Sequence, residues 1–469
     1  MLTYSFENRG SQSLYEYLYK QIRDDIVRGK LKSGDKLPSK RAFAEHLDIS
    51  TITVENAYAQ LMAEGYIYSQ PKSGYYVSSI VPSYIHEGQD KSEYHIDKTF
   101  LEKDKYSADF AKNSASNGTF PFSTWAKVMR ETLTDNAEKL MIHSPSVGVS
   151  ELRIAIANYL FQFRGMNVDP DRIIIGAGTE YLYSIIIQLL GFDKKYAVED
   201  PGYRKIAEIY KANNVSCLHI PIDDKGIDVE ALEKSEGDVL HISPSHHFPT
   251  GIVTPISRRY ELLSWASKSK ERYIIEDDYD SEFRLLGKPI PSLQSIDALE
   301  KVIYINTFSK SLTPTIRISY MVLPESLMEV YRDRLSFYSC TVSTFEQYTL
   351  ANFISKGYFE KHINRMRNFY RSQRDIIMRC IKKQPEFSRV SIKEENAGLH
   401  FILSFDTELS DEEIIMKARQ NGINLSCLSQ YFYNKENSKE HAVIINYSGI
   451  ETEDIEKYIP LLFGSVFQK

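Results

Sequence analysis

Residues 306–321 read NTFSKSLTPTIRISYM and follow the apolar run KVIYI at residues 301–305. The run is typical of a buried β-strand, and Lys310 lies among hydroxyls shortly after it, seven residues before Arg317 (317 − 310 = 7). A lysine amine, with an ordinary pKa of about 10.4, is a poor nucleophile at neutral pH unless its surroundings lower that value. The arrangement indicates a Schiff-base lysine for an aldehyde whose phosphate is bound by Thr307, Ser309 and Arg317. By itself, the segment is also consistent with an exposed loop lysine.

Four further apolar runs end in small, polar or charged residues. They are RIIIGAG, KYAVEDPGY, VLHISPS and RYIIEDDYD, which begin at residues 172, 195, 239 and 272. Each run is followed by helical patterning, and this alternation predicts an α/β fold with a mainly parallel sheet. Because ligands of such sheets bind outside the carboxyl ends of the strands, we expect these ends to share one pocket.

The side chains at these strand ends suit one flat, anionic ligand. After the first run, backbone N–H groups near Gly178 and Thr179 are placed to bind an anion at the start of a helix. Tyr203 ends the second run and is suited to stacking on a flat ring. The acidic stretch IIEDDYDSEF, residues 274–283, offers a buried carboxylate that would keep a ring nitrogen protonated. Turn glycines and a solvated acidic turn are the alternative interpretations.

The first eighty residues have the pattern of a small helical unit that ends in a hairpin. One amphipathic helix is predicted over about residues 14–28, where apolar residues recur at four-residue spacing. Two short helices follow, joined by a turn at Asp48-Ile49, and a turn at residues 71–74 separates two short strands. Two short helices and a β-wing predict a winged helix-turn-helix.

Charge alone hardly separates a DNA-binding unit from a plain helical cap here. Residues 1–80 contain 10 Lys and Arg against 9 Asp and Glu, a net charge of +1. The positions are more informative, because Lys36, Lys40 and Arg41 cluster at the start of the first short helix and Lys72 lies at the wing tip. Those are the places where phosphates lie in such modules.

Bulk composition excludes several other classes of protein. The 469 residues carry a formal net charge of −6, so no global basic field points to nucleic acid. Four scattered cysteines argue against a disulfide scaffold and against a zinc site. The start MLTYSFENRG lacks the features of a signal peptide, and no apolar run is long enough to span a bilayer. We therefore expect a soluble cytoplasmic protein without metal or membrane partner.

The segment KLPSKRAFAEHLDIS…TVENAYAQLMAEGYIYSQPKSGYYV resembles the GntR-type DNA-binding domain over Gln12–Val77. The family usually has an arginine where this chain has Thr51, so one expected contact to DNA is missing. The resemblance implies that a double-stranded operator is contacted by the two short helices and the wing. The predicted contact residues are Lys36, Ser39, Lys40, Arg41, Thr51, Thr53, Asn56 and Lys72.

From about Asp109 to the C-terminus, the strand-end segments resemble the fold type I aminotransferases, which bind pyridoxal 5′-phosphate. The resemblance implies that Lys310 is the lysine of the internal aldimine, that Asp277 pairs with the pyridinium nitrogen and that Tyr279 contacts the ring oxygen. It also implies a ring-stacking aromatic, phosphate ligands and a ring contact, which are Tyr203, Gly178, Thr179, Ser309, Arg317 and His246. A smaller C-terminal α/β subdomain is expected from about residue 345.

The whole architecture resembles the MocR/GabR group of bacterial regulators, as do EDPGY, EDDYDSEFR and NTFSKSLTPTIRISYMVLP. It implies a reader domain over residues 1–79, a linker over 80–105 and an aminotransferase-like effector domain over 106–469. We expect a homodimeric transcriptional regulator that senses an amino compound, or pyridoxal phosphate itself, and controls amine, amino-acid or vitamin B6 genes.

A working aminotransferase with an accessory DNA-binding domain is the alternative function. Residues 420–469 contain no arginine to hold a substrate carboxylate, so Arg204 or Lys205 is predicted to take that role. We therefore expect at most a partial or weak transamination half-reaction.

Overall fold

The computed structural model describes residues 2–6, 9–10, 12–79, 106–111, 119–285, 290–394 and 398–467. The chain divides into two compact units, residues 1–103 and 104–469. The predicted linker, residues 80–105, lies outside the described residues, and the predicted domain boundaries stay predictions. Among the described residues, no helix is both long and apolar enough to cross a bilayer.

The first unit packs three helices on a three-stranded antiparallel sheet with the strand order β1-β3-β2. In chain order its elements are α1 (Leu14–Val27), β1 (Lys36–Leu37), α2 (Lys40–Leu47), α3 (Thr51–Ala63), β2 (Ile67–Gln70) and β3 (Gly74–Val77). Ser39 and Ser50 are the N-caps of α2 and α3, because their hydroxyls accept hydrogen bonds from backbone N–H groups in the first turn of each helix. Phe43, Val54 and Tyr58 are completely buried in the core of this unit. The predicted winged helix-turn-helix is confirmed.

The second unit is built on an eight-stranded sheet with the order β5-β12-β11-β10-β9-β6-β7-β8. The strands of this unit are β4 (Ala108–Asp109), β5 (Ile173–Gly176), β6 (Lys195–Asp200), β7 (Ser216–Asp223), β8 (Gly226–Ile227), β9 (Val239–Ile242), β10 (Tyr273–Asp277), β11 (Val302–Thr307), β12 (Ser319–Val322), β13 (Val390–Lys393), β14 (His400–Phe405), β15 (Ile423–Asn424), β16 (Ser426–Cys427) and β17 (Ala442–Asn446). Strands β7, β6, β9, β10 and β11 are mutually parallel. The mainly parallel α/β sheet predicted from the alternating runs is therefore confirmed.

The helices of the second unit cover both faces of this sheet and also build a smaller C-terminal layer. They are α4 (Phe122–Asp135), α5 (Ala137–Leu140), α6 (Ser150–Arg164), α7 (Thr179–Leu190), α8 (Arg204–Ala212), α9 (Val229–Lys234), α10 (Ile256–Ser267), α11 (Leu293–Ile296), α12 (Phe308–Ser311), α13 (Glu325–Arg334), α14 (Thr344–Ser355), α15 (Tyr358–Lys382), α16 (Asp411–Gln420) and α17 (Thr452–Phe467). Separate apolar cores lie on the two faces, and neighbouring residues of β12 alternate between them: Tyr320 belongs to one core and Met321 to the other. Burial on both faces explains why these strands are continuously apolar.

A smaller antiparallel sheet, β13-β14-β17-β16, packs with α15 and α17 around Phe401, Ile445 and Ile459. Helix α14 begins near the predicted start of the C-terminal subdomain, but it packs on α4 and α6 of the larger layer.

The topology brings the predicted site residues to one edge of the large sheet. Strand β5 lies antiparallel to β12, and β12 lies antiparallel to β11, so β5 runs in the same direction as β11. The carboxyl ends of β5, β6, β9, β10 and β11 therefore face the same way, and α7, α8 and α12 begin there.

Candidate functional site

A cavity of about 450 Å³ lies at this carboxyl edge. Its lining includes Thr179, Glu180, Tyr183, Tyr203, Lys205, Ser243, Phe248, Asp277, Tyr279, Thr307, Ser309, Lys310, Arg317 and Tyr431. Seven of the nine predicted cofactor residues are in that lining, and they come from strand ends that are far apart in sequence. The structure therefore brings most of the predicted pocket together.

Lys310 lies in the short helix α12, directly after the buried strand β11. Thr307 is the N-cap of this helix, and its hydroxyl accepts a hydrogen bond from the Ser309 backbone N–H at 3.1 Å. Burial lowers the pKa of Lys310 to about 8, although the nearby carboxylate of Asp280 acts in the opposite direction. The amine therefore loses its proton at a much lower pH than an exposed lysine does.

We expect the reactivity of Lys310 to rise with pH around a midpoint near 8, because only the neutral amine is a nucleophile. A small acylating reagent applied at a series of pH values, with the modified peptide measured by mass spectrometry, would give this midpoint. Exposed lysines in the same digest serve as the internal control, since their reactivity should rise only towards about pH 10.4. A midpoint for Lys310 equal to theirs would contradict the assignment.

The carboxylates at the end of β10 point to two different faces of the sheet. Glu276 and Asp278 are two residues apart and share a face, where the side chains of Arg259 and Arg164 lie 3.4 and 3.1 Å from them. Asp277, between them, points into the cavity. The two flanking carboxylates are therefore neutralised by buried arginines, whereas Asp277 is left to the pocket.

Asp277 has one oxygen that is bonded and one that is not. The hydroxyl of Tyr183 donates a hydrogen bond to Oδ2 at 2.5 Å, and His241 Nε2 lies 3.6 Å from the same oxygen. Oδ1 is buried and has no hydrogen-bond partner among the described residues. A buried carboxylate oxygen without a donor is costly, so this atom suits a cationic N–H group of a ligand. The protonated ring nitrogen of pyridoxal phosphate is such a group.

A candidate anion-binding site, called the phosphate cup below, is formed by Gly178, Ser309 and Arg317 at the start of α7. Gly178 has a φ of +92°, and a Cβ placed on it would lie 2.1 Å from Arg317 Nη2, so only glycine lets the guanidinium approach this backbone. Arg317 itself has a φ of +52°, an uncommon conformation for a side chain of this size. The Ser309 hydroxyl is buried and has no partner among the described residues. Together with the helix N-terminus, these groups fit a phosphate.

Glu180 occupies this cup in the structure. Its carboxylate pairs with Arg317 through one oxygen and with Lys205 through the other. Burial raises the pKa of Glu180, but the two cations outweigh that effect and lower it overall. Glu180 therefore links Arg317, which was predicted to bind the phosphate, to Lys205, which was predicted to bind the effector.

An aromatic wall separates this cavity from a second one of about 560 Å³. Tyr203, half exposed, meets the ring of Phe248 edge-on at 5.7 Å, and Phe248 meets Tyr431 at 5.2 Å. All three line both cavities. Arg204 lines only the second cavity, where burial raises the pKa of Glu199 to about 8.

His246 is the predicted ring contact that lies outside the lining of the first cavity. It is buried, with Nδ1 2.8 Å from Asp280 Oδ2 and 3.3 Å from the Tyr279 hydroxyl. Burial and nearby acids raise the pKa of Tyr279 well above its ordinary value. His246 therefore contacts the hydroxyl of Tyr279, which does line the cavity, and its own contact with the ring stays a prediction.

The predicted DNA contacts lie on the surface of the first unit. Lys36, Ser39, Arg41, Thr51, Asn56 and Lys72 are exposed, and Thr53 and Lys40 are partly exposed. The amine of Lys40 lies 2.7 Å from Glu55 and 5.4 Å from the ring centroid of Tyr75 in the wing. The predicted contacts thus lie on β1, the start of α2, α3 and the wing of one small unit.

Sequence reasoning missed four residues of the first pocket and its surroundings: Tyr183, His241, Glu180 and Tyr431. Tyr183 lies one turn after Thr179 on α7 and shares its helix face, which is a detectable signal. His241 is a polar residue inside the buried strand β9, which is another. Nothing local to Tyr431 marks it, because it reaches the pocket from the C-terminal layer.

Comparison with known proteins agrees with this two-unit fold. Residues 14–77 match the family of bacterial regulatory proteins named gntR, and residues 109–459 match aminotransferase class I and II. A multiple substrate aminotransferase from Thermococcus profundus, at 23% identity, has the same fold with a TM-score of 0.69, covering 81% of this chain and 95% of that one.

Two bacterial regulators are similar over nearly the whole chain. The uncharacterized HTH-type transcriptional regulator YdeL of Bacillus subtilis is 38% identical, covering 96% of both chains. The pyridoxine biosynthesis transcriptional regulator PdxR of Corynebacterium glutamicum is 30% identical, covering 90% of this chain and 89% of that one. The chain therefore belongs to the MocR/GabR-type transcriptional regulators, in which a GntR DNA-binding domain is joined to an aminotransferase class I and II domain.

Proposed function

We propose that this regulator holds pyridoxal 5′-phosphate on Lys310 and uses it to detect an amino compound, or the cofactor itself, as a cytoplasmic homodimer. The observation that supports the proposal best is the unpartnered Oδ1 of Asp277 in the cavity that Lys310 also lines. When bound, pyridoxal phosphate supplies an electrophilic carbonyl and an electron-withdrawing ring. Asp277 would hold the ring nitrogen, and Gly178, Ser309 and Arg317 would hold the phosphate.

The residues around the cofactor would signal whether an amino compound has bound. Lys310, whose pKa is lowered to about 8, would hold the aldehyde carbon of the cofactor, and its amine would be released when an incoming amine takes over that carbon. Lys205, at the edge of the same cavity, would bind a carboxylate of that compound. By linkage, such a ligand shifts DNA binding only as far as its affinities for the two states of the protein differ.

The test is a DNA-binding titration of the purified full-length protein on a duplex from its own upstream region. We expect affinity or footprint to differ between the cofactor-free protein, the protein with pyridoxal phosphate, and the protein with cofactor and a panel of amines. Pyridoxine phosphate is the matched control ligand, because it has the ring and the phosphate but no aldehyde. Identical DNA binding in all states would contradict the proposal.

The same protein can be assayed for transamination with amino donors and 2-oxo acids. Steady turnover at ordinary enzyme rates would support the working aminotransferase instead. A response of DNA binding to amines, without such turnover, would support the sensor.

Replacing Glu180 with glutamine should strengthen binding of pyridoxal phosphate about threefold, because a carboxylate that competes with the phosphate for Arg317 is removed. The pair is partly exposed, so the gain is limited to the range of surface ion pairs. Pyridoxal, which lacks the phosphate, is the control ligand and should gain less. An equal gain for both ligands in fluorescence titrations would place the effect of Glu180 outside the phosphate cup.

The homodimer is proposed from apolar surface on the second unit. Phe122, Met141, Phe337 and Phe345 are all more than 40% exposed. Two of them belong to α4 and α14, helices that pack against each other. Large exposed apolar residues on packed neighbouring elements suit an isologous interface. Sedimentation that shows a stable cofactor-loaded monomer would contradict it.

A further inference from the structure

The outward face of helix α3 carries no cation. Val54, Ala57, Tyr58 and Leu61 are buried, which leaves the exposed stripe Ile52, Glu55, Asn56 and Ala59 at positions i, i+3, i+4 and i+7. Thr51–Ala63 contains neither lysine nor arginine. The cations lie on neighbouring elements instead: Lys36 in β1, Lys40 and Arg41 in α2, and Lys72 between β2 and β3. These four cations, called the rim below, are suited to contact DNA phosphates. The outward face of α3 has no cation and is partly apolar.

Ile52 is the unusual residue of this stripe. Its side chain is 68% exposed in the first turn of α3, the second helix of the helix-turn-helix. In this motif the second helix enters the major groove with its N-terminal residues against the base edges. In that groove the apolar feature available to an isoleucine is the 5-methyl group of thymine.

Asn56 follows Ile52 by one turn on the same face. Its side chain is exposed and has no hydrogen-bond partner among the described residues. A free asparagine amide binds N6 and N7 of adenine with two hydrogen bonds. Four residues of helix span about 6 Å, which is close to two base-pair steps of about 3.4 Å each.

Glu55 lies between these two residues but is not free. Its carboxylate lies 2.7 Å from the Lys40 amine, and this pair neutralises a charge that would otherwise repel the DNA backbone. The commonest specific contact in the major groove, an arginine or lysine on guanine, is not available from α3.

We propose that α3 reads A·T pairs, with Ile52 packed on a thymine methyl group and Asn56 bonded to an adenine about two pairs away. The inference rests on the DNA-binding role of the first unit and adds to it the class of base pair that is recognised. The cations of the rim then supply affinity that does not depend on sequence.

The test begins with selection of preferred duplexes from a random library by the full-length protein. Single groups are then changed in the selected site: deoxyuridine in place of thymidine removes one methyl group, and 7-deazaadenine replaces one N7 with a C–H group. At one thymine per half-site, we expect the loss of the methyl group to lower the affinity about fourfold, the value of one buried methyl group. At one adenine, the 7-deaza replacement should lower the affinity at least about fivefold.

Variants assign each effect to a side chain. Ile52→Ala should bind the thymine and deoxyuridine duplexes equally and keep its response to 7-deazaadenine, whereas Asn56→Ala should show the reverse. Ile52→Val keeps an apolar branched side chain and should remain sensitive to the methyl group. Lys72→Ala is the control for the rim: it should lower the salt dependence of binding without changing either atomic effect.

Two results would overturn the inference while leaving DNA binding intact. One is a selected site whose contacted positions are G·C pairs; the other is an Ile52→Ala protein that still discriminates thymine from deoxyuridine. Absence of any preferred duplex would instead overturn the regulator role on which the inference rests.

Discussion

Replacing Lys310 with alanine is expected to abolish covalent attachment of pyridoxal phosphate completely. Among the lysines, only Lys310 and Lys205 line the described cavity, and Lys205 is paired with Glu180 at its edge. The visible absorbance of the attached cofactor should be absent from the variant. Borohydride reduction followed by mass spectrometry should label Lys310 in the natural protein and no lysine in the variant.

DNA binding separates this effect from misfolding. The Lys310→Ala protein should bind its operator as the cofactor-free natural protein does, because residues 14–77 form a unit with its own core. It should also lose every response to pyridoxal phosphate and to amines. Covalent labelling of another lysine in the variant would show that the anchor has been assigned wrongly.

Replacing Asp277 with asparagine should weaken binding of pyridoxal phosphate by at least about 100-fold. The variant removes the charge that would pair with the ring nitrogen, and breaking a buried charge pair typically costs about 3–5 kcal/mol. The stability of the cofactor-free protein should not fall, because Tyr183 keeps an acceptor and a neutral amide replaces a buried carboxylate. Cofactor titration and thermal melting would measure the two effects separately.

Glu236→Gln is the matched control for this variant. Glu236 is an exposed carboxylate paired with Lys195, away from the cavity, and its loss should change neither measurement. An Asp277→Asn protein that binds the cofactor within threefold of the natural affinity would exclude Asp277 as the partner of the ring nitrogen.

Much of the fold followed from local patterns. The strands before Lys310 and Asp277 are buried on both faces and read as continuous apolar runs, which few other elements produce. The buried face of α3 appeared as apolar residues at helical spacing, and Ser50 marked its start. The packing of α14 on α4 and α6 was not predicted, because nothing in its own sequence shows which layer it joins.

The site was predicted less completely than the fold. Strand ends placed Lys310, Tyr203 and Arg317 at one edge, since parallel strands end together. His246 was predicted to contact the ring; its Nδ1 lies beside Asp280 and the Tyr279 hydroxyl, and its contact with the ring stays a prediction. Sequence shows that a residue follows a strand, but the turn of the chain decides whether its side chain faces the cavity.

By itself, the sequence determined the chemical groups and the edge of the sheet to which they belong. Strand alternation also separates Asp277 from Glu276 and Asp278, because neighbouring side chains point to opposite faces. Only the tertiary structure decided what those faces meet. Arg259 of α10 and Arg164 of α6 pair with the two flanking carboxylates, whereas Asp277 keeps an oxygen without a partner in the described structure. That difference depends on long-range packing, and it turns one of three similar acids into the candidate partner of a cofactor.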